Sequence, residues 1–288
     1  MIDAFLQALV NGALAGAVLA LPALGFNTVY AVLRFPNFAI ASLATLGAYA
    51  GWVANAVFAW PAAASLVVAF VVAGAAGAAS DALALRALRP LGAITAAIGS
   101  VALDLLLQNA IRFGFGNNPR GYDLPVFRDW RVAGIGIGPQ EVEDAGLALV
   151  AMAALFLLLR FTRIGKTMRA VADNAALAES KGIDPVTVAW VANFVGFGLT
   201  GIGGMLVALD TSLDPLTGFR VLLSIFAAAV VGGLGSIPGA LAGAFVVGIG
   251  EELSTLVLAP TYRTAIGFLA ILLVLSLRPR GLLGERAY

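Results

Sequence analysis

Residues 35–80 read FPNFAIASLATLGAYAGWVANAVFAWPAAASLVVAFVVAGAAGAAS and contain no Asp, Glu, Lys or Arg. About 20 apolar residues cross a bilayer as a helix, so this run is too long for one crossing. It divides near Trp60-Pro61, because proline opens a helix more readily than it continues one. Phe35-Pro36-Asn37-Phe38 reads as broken backbone leading into the second span. Charge is absent again from Ala4 to Leu33, from Pro185 to Leu209 and from Val221 to Gly250. Of 288 residues 61% are hydrophobic and 11% charged, against roughly 25% charged in soluble domains. The chain reads as an all-α, polytopic transmembrane helix bundle. A β-barrel would show short alternating segments instead.

Working outward, the first span covers residues 5–33. Its Gly12, Ala13, Ala15, Gly16 and Ala17 suit close helix packing, Pro22 and Gly25 predict a kink, and Asn27 sets an amide in mid-span. The third span ends at Asp81–Arg89. The fourth, residues 91–111, carries Asp104 and Gln108 four apart and so on one face, with Asn109 beside them and Arg112 one turn on. A polar loop over 112–144 follows, then a short span at 146–159 and another at 186–208 that stops at Asp210 and Asp214-Pro215. Residues 219–257 form two shorter helices joined at Gly232-Gly233-Leu234-Gly235-Ser236-Ile237-Pro238-Gly239, and the last span is 264–277. The count is about nine crossings, with a range of 8–10 if the Phe35–Asn37 break and the 232–239 turn are re-entrant. Leu24–Gly51 and Leu213–Gly243 loosely resemble each other, the pattern an internal repeat leaves. All 288 residues form one transmembrane domain.

Several classes are excluded. With no Cys and no His, disulfides, thiolate chemistry and imidazole catalysis or metal ligation are absent. No carboxylate pair shares a helix face, so no enzyme site is expected. The net charge of +1 carries no message about nucleic acid. The N-terminus has no basic region ahead of its apolar run, so no cleaved signal peptide is expected.

The most polar segment that still looks helical is Arg160–Asp184, RFTRIGKTMRAVADNAALAESKGID. Arg160, Arg163, Lys166 and Arg169 recur every three residues along one side of a helix. Ala170, Ala172, Ala175, Ala176 and Ala178 favour helix, and Gly182 with Asp184-Pro185 ends it. Gly165-Lys166-Thr167 imitates the end of a phosphate-binding loop, but that pattern needs glycine where Arg160 stands and a preceding strand. An apolar span precedes it, so this segment does not bind ATP. Charge alone would make it a topology determinant; its helical character makes it an element for another protein to grip. Placing the N-terminus outside puts 11 of the 17 basic residues inside, with four of the other six in the 112–144 loop. The positive-inside rule therefore sets the C-terminus and the 160–184 segment in the cytoplasm.

The intramembrane polar groups have two readings each. Asp104 in mid-span costs about 2.5–3.5 kcal/mol on insertion scales, so it either pairs with Gln108, Asn109 or Arg112 or lines a wet path. Asn27, Asn37 and Asn193 either satisfy broken backbone or donate to a solute. The glycine run that holds Gly233, Gly235 and Ser236 is either close packing around a break or exposed backbone facing a solute. Glu251 and Glu252 lie near a membrane end, where solvation is easy, and Asp210 and Asp214 face the opposite side from 160–184.

Several stretches together carry a family resemblance. They are Asn11-Gly12 with Ala20–Tyr30, and Asn37-Phe38-Ala39 with Gly47-Ala48-Tyr49. Next come Arg163, Gly165, Arg169 and Ala170 with Ala178, Gly182 and Ile183. The last are Gly232–Ala240, Gly250-Glu251 and Arg278-Pro279-Arg280-Gly281-Leu282-Leu283-Gly284. Over nearly its full length the chain resembles the permease subunits of branched-chain amino acid type ABC importers. The resemblance implies a multi-pass permease of the bacterial inner membrane. It would pair with a second related permease, sit on two cytoplasmic ATP-binding subunits that hold ATP and magnesium, and receive solute from a periplasmic binding protein. This chain would bind no cofactor. The resemblance makes Arg163, Gly165, Lys166, Arg169, Ala170, Ala178, Gly182 and Ile183 the coupling segment. On the solute-facing reading of the intramembrane polar groups and the glycine run, Asn27, Asn37, Ser42, Asp104, Gln108, Gly233, Gly235 and Ser236 lie along the translocation path. Many members read Asn-Phe-Ala-His-Gly-Glu where Ile40-Ala41-Ser42 here follow Asn37-Phe38-Ala39. Relatives also carry urea, amides and aromatic carboxylates, so these stand as alternative solutes. A channel working without ATP is the alternative from a different class.

Overall fold

The computed structural model describes residues 2–124, 130–132, 135–259, 262–278 and 281–284. Among the described residues seven helices are long and apolar enough to cross a membrane, accompanied by two shorter apolar ones. Helix α1 (Ile2–Leu33) runs through Pro22 without a break in its assignment; the expected kink does not divide it. Its 32 residues span about 48 Å at 1.5 Å per residue, well beyond a hydrocarbon core of about 30 Å. Arg34 has φ +58 and turns the chain, and α2 (Ile40–Trp52) follows, lengthened by a π-helical turn at Val53–Val57. Ala59 has φ +55 and Pro61 caps α3 (Ala62–Ser80), so the chain divides where the sequence predicts. A second π-helical turn (Asp81–Leu85), α4 (Arg86–Leu88) and a 3-10 turn (Arg89–Leu91) carry this helix on, with buried Asp81 paired to Arg89.

Helix α5 (Ala93–Phe115) and helix α6 (Pro139–Phe161) are both longer than expected, which shortens the loop between them. Part of that loop is ordered by contacts the sequence does not advertise. Strands β1 (Trp130–Val132) and β2 (Ile135–Ile137) pair antiparallel, and Gln7 of α1 exchanges hydrogen bonds with Gly136. Arg120 and Leu213 form a backbone bridge, while the Arg120 guanidinium lies 4.4 Å from the Trp52 ring centre. Tyr122 donates to the Ala48 carbonyl at 2.8 Å, closing the end of α2.

The chain continues through α7 (Arg163–Asp173) and α8 (Ala175–Ser180) to α9 (Pro185–Asp210). The hairpin of α10 (Thr217–Gly232) and α11 (Ile237–Ser254) comes next, and α12 (Arg263–Leu277) follows. Pro279, Arg280 and Arg286 of the expected C-terminal group lie outside the described residues, as does Arg128 in the loop.

Helix α9 is the axis of the bundle, and its glycines explain why. A Cβ built at Gly196 would stand 2.7 Å from the Gly25 carbonyl of α1, and one at Gly201 would stand 2.6 Å from the Ala69 carbonyl of α3. A Cβ at Gly204 would collide with the Ala44 carbonyl of α2, and Gly203 leaves room for the Pro22 ring. Three helices thus touch the backbone of α9 on three sides. In lipid there is no hydrophobic gain from helix association, so such close van der Waals contact and shape fit must hold the bundle. The α10–α11 hairpin uses the same device, with Gly243 seated on the Ala228 carbonyl. Because side chains are crowded out there, Gly201→Val should prevent recovery of monodisperse protein or lower its melting temperature sharply, overpacking costing about 1–3 kcal/mol or more. Gly114→Ala, with no neighbour within 4 Å of the new methyl, should melt no lower than the parent. Equal melting of Gly201→Val and the parent would show that α9 is not clamped.

Candidate functional site

The polar 160–184 segment is three pieces rather than one helix. Thr162 is extended (φ −93, ψ 161) and its hydroxyl accepts from the Gly165 amide at 3.1 Å, ending α6 and starting α7. Arg160 therefore stays on α6, while Arg163, Lys166 and Arg169 ride on α7. Helix α7 folds back against the last turn of α6, and a Cβ at Gly165 would run into the Leu159 backbone. The Arg169 guanidinium donates to the same Leu159 carbonyl. Asn174 ends α7 and caps α8, its Oδ1 accepting from the Leu177 amide at 3.0 Å. Gly182, at φ +84, closes α8; its amide donates to the Glu179 carbonyl and that of Ile183 to the Ala178 carbonyl. Asp184 then caps α9. The Thr187 hydroxyl, followed by the Val186 and Thr187 amides, holds its carboxyl below the usual carboxylate range.

Burial sorts this segment by role. Gly165 and Ala178 turn inward, so their small size serves contacts within the chain, and Ala170 and Ile183 are half-buried. Arg163, Lys166, Arg169 and Gly182 are exposed, and Ile164 (45%) and Leu177 (57%) present apolar side chains outward. Arg34, at the end of α1, donates to the Ala172 carbonyl in the last turn of α7. The segment is thus tied to α6 through Leu159 and to α1 through Arg34.

The intramembrane polar residues fall into two groups. In the first, the buried Asn27 amide donates to the carbonyls of Gly233 (3.1 Å) and Ser236 (3.0 Å), 206 and 209 residues away. Gly233 (φ 115) and Gly235 (φ 83) make the turn between α10 and α11, and the Ser236 hydroxyl accepts from the Gly239 amide to cap α11. Leu282 and Leu283 donate to the Val231 and Gly232 carbonyls, so the last turn of α10 finds partners too. Backbone that leaves a helix inside a membrane needs such donors.

In the second group, Asp104 of α5 does not pair with Gln108, Asn109 or Arg112. Its Oδ1 accepts from the Ser42 amide at 2.9 Å, and the Ser42 hydroxyl lies within hydrogen-bond range of the same oxygen. The reason is local: Ala39 starts α2 without a side-chain cap, leaving first-turn N–H groups that attract a carboxylate. Asp104 supplies that cap from another helix. Asn37 accepts from the Ala39 amide at 3.1 Å, and Ser100 from that of Phe38 at 2.9 Å. Gln108 is buried one turn on, while Asn109 is exposed and bonds to its own helix. Asn193 of α9 is wholly buried, its amide unpaired among the described residues.

A third feature escaped the sequence. At the end of the bundle away from α7 and α8, a chamber of about 440 Å³ opens among α1, α6, α9, α10, α11 and α12. Glu251 is not at an easily solvated end, as expected, but 7% exposed in its wall; its Oε1 accepts from Ser224 at 2.6 Å. Arg263 pairs with Glu252 at 2.9 Å. Asp210 lines the same chamber, whereas Asp214 is buried beside it and bound to Arg220. Only the convergence of six helices makes this chamber, and no local spacing signals it.

Residues 8–277 match the family model of the branched-chain amino acid transport system / permease component. The chain is 31% identical to the high-affinity branched-chain amino acid transport system permease protein LivH of Escherichia coli K12, over 98% of this chain and 96% of LivH. It is 28% identical to BraD, the corresponding permease protein of Pseudomonas aeruginosa, with the same coverage. A probable LivH of Methanocaldococcus jannaschii is 32% identical, over 90% and 84% of the two chains. Among solved structures, a chain of PsaBC from Streptococcus pneumoniae in complex with Fab aligns with a TM-score of 0.56. The alignment covers 97% of both chains at 13% identity, a likeness of fold alone. An end-to-end match of this kind leaves one conclusion: this chain belongs to the family of permease components of branched-chain amino acid transport systems.

Proposed function

We propose that this chain is one permease subunit of an ATP-driven, binding-protein-dependent importer of branched-chain amino acids. The observation that carries the reading is the family match over residues 8–277. The exposed and anchored α7–α8 element supports it. In this reading the chain crosses the bacterial inner membrane nine times as a single domain, the seven long helices plus α10 and α12. Its N-terminus and the 112–144 region are periplasmic, and its C-terminus is cytoplasmic. Leu24–Gly51 and Leu213–Gly243 are the two members of an internal repeat. A second related permease and two ATP-binding subunits complete the assembly, and a periplasmic binding protein delivers solute to it. ATP and magnesium belong to the partner subunits.

Coupling follows from rigid-body mechanics. ATP-driven closure of two subunits reaches the membrane through a helix seated in a groove. Helices α7 and α8 present Arg163, Ile164, Lys166 and Leu177 to such a groove. Gly165, Arg169, Ala170, Ala178, Gly182 and Ile183 shape the segment behind them. The tie from Arg34 to Ala172 carries its motion into α1, and α1 carries it to the α10–α11 turn through Asn27. The translocation path runs past Asn27, Asn37, Ser42, Asp104, Gln108, Gly233, Gly235 and Ser236. Shifts of α1 or α5 therefore alter it directly.

Proteoliposomes holding the chain with its partner subunits should take up leucine, isoleucine or valine only with ATP and the binding protein. Uptake of urea or an aromatic acid instead would overturn the solute, and uptake by this chain alone without ATP would overturn the class. Leu177→Asp should leave insertion and melting unchanged while uptake falls at least about tenfold, the loss expected of an interface anchor. Ala178→Asp should fail to fold, because it buries a charge without a partner. Normal uptake by Leu177→Asp would remove α8 from the coupling surface.

A further inference from the structure

The polar chamber and the Asn27 bracket are separated by a layer of rings. Phe226 of α10 lies 4.7 Å from Phe26 of α1 and 4.8 Å from Phe38, centre to centre. Leu19 and Ser224 line the chamber before this layer, along α1 and α10 respectively. Asn27 and Gly233 meet beyond it. Along α1 and α10 an aromatic layer therefore lies between the chamber and the Asn27 bracket.

Its lining is chemically mixed. Leu14, Val18, Val207 and Val221 contribute apolar surface, next to the polar and charged side chains of Asn11, Glu141, Asp210, Arg220, Glu252 and Arg263. Glu251 is more than nine-tenths buried, and Ser224 satisfies only its Oε1. Oε2 accepts no hydrogen bond among the described residues; Arg263 Nε stands 3.8 Å from it, beyond hydrogen-bond reach. A carboxylate oxygen that opens on a cavity, with no hydrogen-bond donor and only the Arg263 cation 3.8 Å away, suits a cationic N–H group. Arg263 spends part of its guanidinium on Glu252, and five N–H donors leave some to spare. The volume of about 440 Å³ lies within the range of small-molecule sites.

We propose that this chamber is a binding site for an α-amino acid zwitterion on its way through the permease. Glu251 Oε2 receives the ammonium, spare Arg263 N–H groups receive the carboxylate, and the apolar surface of Leu14, Val18, Val207 and Val221 receives a short branched side chain. The side-chain class rests on the importer reading above; the zwitterion chemistry rests on the chamber. The Phe26–Phe226–Phe38 layer is the barrier that the bound solute must pass next.

The chain contains no Cys, so Val221→Cys places a single thiol in the chamber of the full transporter in proteoliposomes. A cationic methanethiosulfonate should modify it faster than an anionic one. Leucine should slow the modification, and isocaproate, which lacks the ammonium, should not. Adding Glu251→Gln should weaken protection by leucine about tenfold or more, the loss expected when a charge-assisted hydrogen bond is removed. Modification indifferent to leucine, or equal protection by isocaproate, overturns the proposal without any need for the Glu251 variant to fold. ATP-dependent uptake is measured in vesicles with the unmodified chain. Uptake without protection sinks the chamber alone, whereas absent uptake sinks the importer reading.

Discussion

Contact between the backbone of α9 and three other helices is the constraint on which this structure depends. Gly196, Gly201, Gly203 and Gly204 let α1, α2 and α3 approach to distances at which a Cβ would overlap a carbonyl or a proline ring. Lipid tails solvate apolar side chains as well as a protein interior does, so burial alone cannot assemble these helices. Fit must do it, and fit of this kind allows little gradual deformation. A bundle so clamped moves as blocks, with change confined to the places where the backbone leaves helical geometry.

Those places are held by polar side chains from distant parts of the chain. Asn27 satisfies the turn between α10 and α11, and Asp104 caps the start of α2. Each is a polar group that would be expensive in lipid if alone, and each finds backbone groups that would be equally expensive if left unpaired. The two costs cancel. In the importer reading proposed above, the same pairs link moving parts, because a shift of α1 or α5 pulls directly on a break in another element. In that reading the structural and transport roles of these residues are two aspects of one arrangement.

The 160–184 segment shows how the membrane bundle reaches its surroundings. Thr162, Asn174 and Asp184 each cap a helix start with a side-chain oxygen, so α7, α8 and α9 succeed one another through short capped turns. Arg34 at the end of α1 donates to the Ala172 carbonyl of α7, and Arg169 of α7 donates to the Leu159 carbonyl of α6, which anchors α7 to both helices. The result is a rigid platform with apolar Ile164 and Leu177 outward.

The membrane class, the positions of the breaks at 34–39, 58–61 and 232–239, and the polar character of 160–184 were legible in the sequence. They are local facts, written in runs without charge, in prolines and glycines, and in basic residues every third position. Asp104 was recognisable as a group that needed a partner, but its partner was not, since the helix start it caps belongs to another segment. The expected single helix at 160–184 failed for a related reason: periodicity places Arg160, Arg163, Lys166 and Arg169 on one face only if Thr162 stays helical, and its side chain caps instead. What the sequence by itself determined is which segments must leave water and where they must bend, because transfer energy and backbone stereochemistry act residue by residue. Only the tertiary structure decided which glycine meets which carbonyl, which carboxylate caps which helix, and that six helices leave a chamber beside Glu251. Those outcomes depend on distances between segments far apart in the chain, and no local pattern encodes them.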